Sequence, residues 1–226
     1  PASTGMFFNT MYNVVDTFYA GLISTQAISA LTLSFMIFFL IIGFGYGFSS
    51  AITALLGNAF GKKKYKLATI YAHKGLIFVP LIGVILSLIG YFFAPSLFIL
   101  LGAKEDYLNL SLEYINPILF GSVFFMFNFS LNSILVATGD TKTYRNSLIF
   151  GFFANLVLNP LLMYGFLFIP AMGLSGIAIA TVLIQIINMG YLLYKVLQTK
   201  LIHFEKLDYF STNFRVYKKF LNQSIP

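Results

Sequence analysis

Apolar residues fall into six long stretches along this chain, roughly 1–20, 27–50, 74–101, 114–137, 146–165 and 173–195. Each approaches the length of about 20 residues that an α-helix needs to cross a bilayer. None shows the in/out alternation of a barrel strand, and backbone groups in lipid must be satisfied within their own segment, so the stretches predict helices. The expected fold is therefore an all-α integral membrane bundle of six transmembrane helices.

Polar residues interrupt these stretches at helical spacing. Asn9, Asn13 and Asp16 lie at i, i+4 and i+7 in the first. Asn128 and Asn132 form a pair in the fourth, Asn155 and Asn159 a pair in the fifth followed at once by Pro160, and Thr181, Gln185 and Asn188 a stripe in the sixth. Residues at these spacings share one helix face. The third stretch carries almost nothing polar between Gly75 and Pro95. A polar stripe facing lipid costs free energy, so the four stripes are expected to turn toward one shared cavity, leaving the third helix outside it.

Asp16 is the most informative residue. It sits within the apolar run from Met6 to Ala20, and no Lys or Arg precedes Lys62. An ionisable side chain inside a span marks an ion or substrate path unless a partner explains it. A structural ion pair would need a basic residue at its depth, and the sequence offers none there. The neutral stripes have a plainer alternative, since single Asn, Ser or Thr residues can simply join helices through bonds of about 0.6 kcal/mol each.

Composition supports the membrane reading: 58% of residues are hydrophobic and 9% charged. The net charge of +7 does not point to nucleic acid, because the basic residues are placed as in a membrane protein. Lys62, Lys63, Lys64, Lys66 and Lys74 lie between stretches two and three, Lys142 and Arg145 between four and five, and Lys195, Lys200, Lys206, Arg215, Lys218 and Lys219 after six. Only Lys104, beside Glu105 and Asp106, falls on the other side. Lys and Arg enrich cytoplasmic loops, which predicts both ends of the six-helix unit on the cytoplasmic side.

Other features carry less. His73 and His203 fall in cytoplasmic segments and read as interfacial. Glu113 near the outer end of the fourth stretch reads as solvated. Gly43, Gly45 and Gly47 lie within a span with no preceding strand, so close helix packing explains them better than a nucleotide loop. Gly139 and Asp140 suit a helix C-terminus and an N-cap around a tight turn. There is no Cys, no nucleophile and base pair, no metal-ligand cluster and no phosphate loop, so no enzyme and no cofactor is expected.

The expected organisation is a six-helix lobe over 1–200 and a cytoplasmic or interfacial linker over 201–226, where Phe and Tyr mix with Lys and Arg. Residue 1 is Pro, at the mouth of a span, and the tail ends in Ser-Ile-Pro. The expectation is that an initiating segment precedes this chain and a second, related bundle follows it, as in six-plus-six transporters.

Four segments carry a family resemblance: Val15-Asp16-Thr17 with Ala20-Gly21; Gly57 to Gly61 with Ala68; Gly139-Asp140-Thr141-Lys142; and Asn155 to Pro160 with Gly173 to Thr181. Together they resemble the N-terminal lobe of a multidrug and toxic compound extrusion (MATE) transporter of the bacterial efflux type. The resemblance implies one lobe of a twelve-helix protein in the bacterial inner membrane, completed by a C-terminal six-helix lobe. It implies export of organic cations or drugs in exchange for protons or sodium by alternating access. In that family the first-helix Asp is the ion-coupling carboxylate, which falls here on Asp16. Asn132, Asn155, Asn159 and Thr181 correspond to the cation-site positions, with sodium at Asp16 as one form of coupling. Asn9, Asn13, Asn128, Gln185 and Asn188 would line the substrate cavity. Many relatives carry Asp where this chain has Asn159, which puts a simple transfer of a sodium site in doubt. A lipid-linked saccharide flippase of the same superfamily would need cationic residues within the spans to meet a pyrophosphate, and these spans have none. An ion channel or a membrane scaffold is a further alternative, without the rings of charge or carbonyl filters that a channel favours.

Overall fold

The computed structural model describes residues 2–202 and 214–224. Segment 203–213, which holds His203 and part of the aromatic and basic tail, lies outside the described residues, as do Pro1 and residues 225 and 226 on which the reading of the two ends rests. Six long helices follow one another: α1 (Ala2–Ile23), α2 (Thr25–Gly61), α3 (Tyr65–Leu100), α4 (Glu105–Ala137), α5 (Lys142–Tyr164) and α6 (Gly173–Gln198), with a short amphipathic α7 (Phe214–Ser224). Among the described residues the sole β pairing is an isolated bridge between Phe166 and Ile169.

Helices α2 to α6 are long and apolar enough to cross a membrane. Helix α1 has the length, at 22 residues, but with its polar stripe it does not reach that apolarity, so five of the six expected spans meet both requirements. The helices run further than the apolar stretches predicted. α2 has 37 residues, a length of about 55 Å against a hydrocarbon core of about 30 Å, so its ends project beyond the lipid.

This corrects the reading of the first basic cluster. The α2–α3 connection is only Lys62 to Lys64, and Lys66, His73 and Lys74 lie on α3. Lysine is a good helix former, so a run of Lys does not by itself mark a loop. His73 is fully buried, its Nδ1 2.8 Å from the Thr69 carbonyl. Lys74 is 2% exposed, and its ammonium has no hydrogen-bond partner. Glu113 is exposed, as expected.

Packing sets the order of the bundle. α4 is the most buried span and packs against α2, α3 and α6; α5 packs against α6 and α1; α7 lies on α2 and α3. α3 is the least buried, presenting Leu81, Ile85, Leu88, Phe92 and Phe93 outward, as its lack of polar residues predicted.

Close approach requires small residues at two crossings. At Gly83 a Cβ would lie 2.9 Å from the Val123 Cα, and at the same crossing Ser122 donates to the Gly83 carbonyl at 2.8 Å. At Gly176 a Cβ would lie 2.7 Å from the Leu162 carbonyl oxygen. Of the glycines in α2, Gly45 faces the Phe129 ring closely, whereas Gly43 faces open space.

Two further features position the helices. Pro160 has no N–H, which frees the carbonyl one turn earlier at Leu156. The Tyr19 hydroxyl of α1 donates to that carbonyl at 2.9 Å, tying α1 to α5. In the α4–α5 turn, Gly139 adopts φ 91° and Asp140 accepts from the N–H groups of Lys142 and Thr143 at 3.0 and 2.9 Å. Partial burial pushes the Asp140 carboxyl up, but its hydrogen bonds to Thr143 and Lys142 outweigh that and hold it below the usual carboxylate range.

Because a backbone oxygen cannot swing aside as a side chain can, Gly176→Ala should destabilise the α5–α6 contact by about 1–3 kcal/mol. The check is thermal unfolding in detergent, with Gly43→Ala, which meets open space, expected to be near neutral.

Candidate functional site

Asp16 is 1% exposed and is held by four side-chain donors from three other helices. Its Oδ1 accepts from Asn155 Nδ2 at 2.9 Å and from Asn159 Nδ2 at 2.8 Å. Its Oδ2 accepts from the hydroxyls of Tyr114 and Thr181, each at 3.3 Å. Asn159 Nδ2 also donates to Asn155 Oδ1 at 2.8 Å, which joins the α5 pair. All four donors are neutral, and among the described residues no Lys, Arg or His reaches the carboxylate.

Several buried oxygens near this centre have no hydrogen-bond partner: Asn159 Oδ1, Asn128 Oδ1 and the Tyr12 hydroxyl. Buried polar atoms are ordinarily paired, so orphaned ones mark a place for water or an ion. The carboxylate with the hydroxyl oxygens of Tyr114 and Thr181 would suit a hard cation such as sodium, whereas Asn155 and Asn159 turn their amide nitrogens to Asp16 and would have to rotate to offer an oxygen.

A cavity of about 50 Å³ opens beside Asp16, lined by residues of α1, α2, α4, α5 and α6 and by none of α3. A water needs about 10–15 Å³ on this measure, so it holds roughly three or four waters or an ion. Asn128 donates to the Gln185 side chain and carbonyl at 2.8 and 3.0 Å, and these two, with Asn188, line this small cavity. Asn9 and Asn13 also line a wider groove of about 800 Å³ on the α1–α2 face, with Phe18, Leu22 and Phe39.

The structure thus brings Asn155, Asn159 and Thr181 onto Asp16. It does not bring Asn132 there: that side chain is half-buried one turn beyond Asn128, its oxygen unpaired, and it lines neither space. Sequence reasoning missed Tyr114, which lies four turns before Asn128 on the same α4 face, a spacing that could have flagged it. It also missed the aromatic wall that α2 supplies through Phe38, Phe39 and Tyr46.

A six-helix membrane unit whose polar stripes close on one buried carboxylate has the architecture of a transporter lobe. The chain belongs to the MatE family, whose model matches residues 1–161. It is 32% identical over 161 residues to "Probable multidrug resistance protein YoeA" of Bacillus subtilis, covering 71% of this chain and 35% of that protein. It is 29% identical over 185 residues to "FAD transporter" of Shewanella oneidensis, covering 80% and 41%. A crystal structure of MATE in the bent conformation superposes with a TM-score of 0.88 at 26% identity, over 99% of this chain and 49% of that one. The chain spans about half the length, or less, of these relatives.

Removing the carboxylate should expose how the donors depend on it. Asp16→Ala removes the acceptor shared by four buried donors, of which Asn159 keeps its bond to Asn155, at about 1–3 kcal/mol for each group left unsatisfied. Asp16→Asn keeps an acceptor for them and should cost much less. Thermal unfolding of both variants checks this, and equal losses would contradict it.

Proposed function

We propose that this lobe belongs to a secondary antiporter that exports organic cations in exchange for protons or sodium, with Asp16 as the coupling carboxylate. The observation that carries the reading is the buried Asp16 held only by neutral donors, beside an ion-sized cavity. Burial favours the protonated or cation-paired carboxyl, whereas the four donors favour the free anion. Asp16 can therefore exchange states as the cavity opens to one side or the other. Because its donors come from α4, α5 and α6, a change of state alters contacts between α1 and those helices.

The substrate reading follows from size and charge. The cavity at Asp16 is too small for a drug, whereas the α1–α2 groove lies in the range of small-molecule sites. That groove is lined by apolar and neutral polar residues with Phe18 and Phe39, whose faces suit an organic cation. Neither space has a Lys, Arg or His in its lining, which disfavours a pyrophosphate-bearing flippase substrate and an anionic one such as the Shewanella relative's FAD. A C-terminal six-helix lobe of the same protein would close the groove. The Lys-bearing turns, with the α6 end, would face the cytoplasm across a bacterial inner membrane.

The decisive test is drug-stimulated proton and sodium flux in proteoliposomes of the protein expressed from its own gene. Asp16→Asn should abolish gradient-driven export at unchanged membrane abundance, and normal export would remove the switch. Asn159→Asp should tighten sodium binding, since two carboxylates can share one cation. Sidedness is tested separately: amine labelling of Lys63 and Lys142 from the cytoplasm only, and of Lys104 from outside only, is the expected pattern, and outside labelling of Lys142 would contradict the topology.

A further inference from the structure

Far from Asp16, a second cavity of about 570 Å³ lies between the C-terminal end of α2, the start of α3 and α7. Its polar lining is Lys62, Lys64 and Lys219 with Asn58, Asn222 and Gln223, over a floor that includes Tyr71. Among the described residues no acidic one lines it. Lys62 and Lys64 share the α2–α3 turn, whereas Lys219 comes from α7, about 155 residues later, so folding brings the third lysine to the other two. Lys62 is the C-cap of α2 and Lys64 the N-cap of α3, and between them Lys63 takes the left-handed φ of 56°. Backbone bonds from Lys63 N to Phe60 O (2.8 Å) and Lys64 N to Ala59 O (2.9 Å) hold that turn closed.

The third lysine is delivered by α7. Phe220 is fully buried against Tyr71 and Phe78, and Tyr217 stacks on Phe78 with ring centroids 4.9 Å apart. This aromatic anchoring fixes α7, and Lys219 then donates to the Tyr71 hydroxyl at 3.4 Å. One turn further along α3, the Lys74 ammonium is buried with no hydrogen-bond partner. Lys62, Lys64 and Lys219 are exposed and line this open cleft together, and positive charge concentrated in a concave surface favours an anion.

We infer that this pocket binds a phosphate-bearing anion at the α2–α3–α7 end of the lobe. Three ammonium groups as point charges, with the amides of Asn58, Asn222 and Gln223 as donors, match phosphate oxygens. Basic pockets between transmembrane helices on the cytoplasmic side hold anionic lipid headgroups by this chemistry. A free phosphate offers the same chemistry. The inference borrows the cytoplasmic sidedness proposed above but not the transport reading, because its test measures binding and not export.

The test is native mass spectrometry and titration calorimetry on the protein expressed from its own gene. One arm uses nanodiscs of phosphatidylglycerol against phosphatidylcholine, and the other inorganic phosphate with phosphatidylcholine only. Lysine-dependent binding in the first arm identifies a lipid headgroup, and in the second a soluble anion; either supports the pocket. The triple variant Lys62→Gln, Lys64→Gln, Lys219→Gln should bind roughly 100-fold more weakly, from about a fivefold loss per lysine. Triple substitution to Arg should restore binding, which guards against a loss caused by misfolding. Lys142→Gln with Arg145→Gln, at the other basic turn, should leave it unchanged. No binding in either arm, binding unaffected by the triple Gln variant, or an equal loss in the Lys142 and Arg145 variant would overturn the inference.

Discussion

The bundle depends on one constraint: a carboxylate in the middle of an apolar helix must be solvated by protein. Asp16 is buried on α1, and the groups that replace its water come from α4, α5 and α6. Leaving a charge or its donors unmet in low dielectric costs more than packing can recover, so these helices have to meet at this depth. The choice of neutral donors also matters. A Lys or Arg at this point would form a buried pair whose breaking costs about 3–5 kcal/mol, which would fix Asp16 in one state. Amides and hydroxyls satisfy the carboxylate without supplying a permanent counter-ion.

The remaining packing devices can be understood as ways of meeting that requirement. Pro160 follows Asn159 directly, and the carbonyl it frees at Leu156 is taken by Tyr19, three residues after Asp16 on α1. The same α1–α5 contact that bears the site is thereby tied a second time, about one turn away. Gly176 lets α6 press against the α5 backbone five residues before Thr181 reaches Asp16. Gly83 and Ser122 set the α3–α4 distance on the far side, where α3 serves as the lipid-facing wall.

Much of this was legible in the sequence because its signals are periodic. The stripes of Asn9, Asn13 and Asp16, of Asn155 and Asn159, and of Thr181, Gln185 and Asn188 have helical spacing, and a polar face in lipid has few places to go. The bare third stretch likewise predicted an outer helix. What was not legible turned on which contacts the neighbouring helices make. Tyr114 is one tyrosine among 14, and nothing in its neighbours distinguishes a hydroxyl that reaches a carboxylate from one that points to the interface. Lys74 looked like part of a loop because charge density marks membrane edges, yet the helix continues through Lys66 and Lys74 and folding covers the latter. Asn132 has the spacing of Asn128 but not its contacts: a stripe specifies a face, and only the neighbouring helix decides which part of that face meets a partner. Size was also invisible, so Asn128 and Gln185, assigned by pattern to a substrate cavity, turn out to be joined to each other across a space of ion dimensions.

The presence of Asn at 159 gives the site its particular electrostatics. Two carboxylates in hydrogen-bond contact cannot both remain ionised without a cation between them, so such a pair carries its own demand for a counter-ion. With Asn159 the centre has a single negative charge, and one proton or one sodium neutralises it completely. Asn159 Nδ2 is committed to Asp16 and Asn155, which leaves its Oδ1 buried and unpaired. A proton has no use for that oxygen, whereas a sodium ion does. In the proposed mechanism, net charge therefore does not discriminate between the two coupling ions; the selection falls to the neutral amides and hydroxyls around Asp16 and to whether an amide turns its oxygen toward the carboxylate.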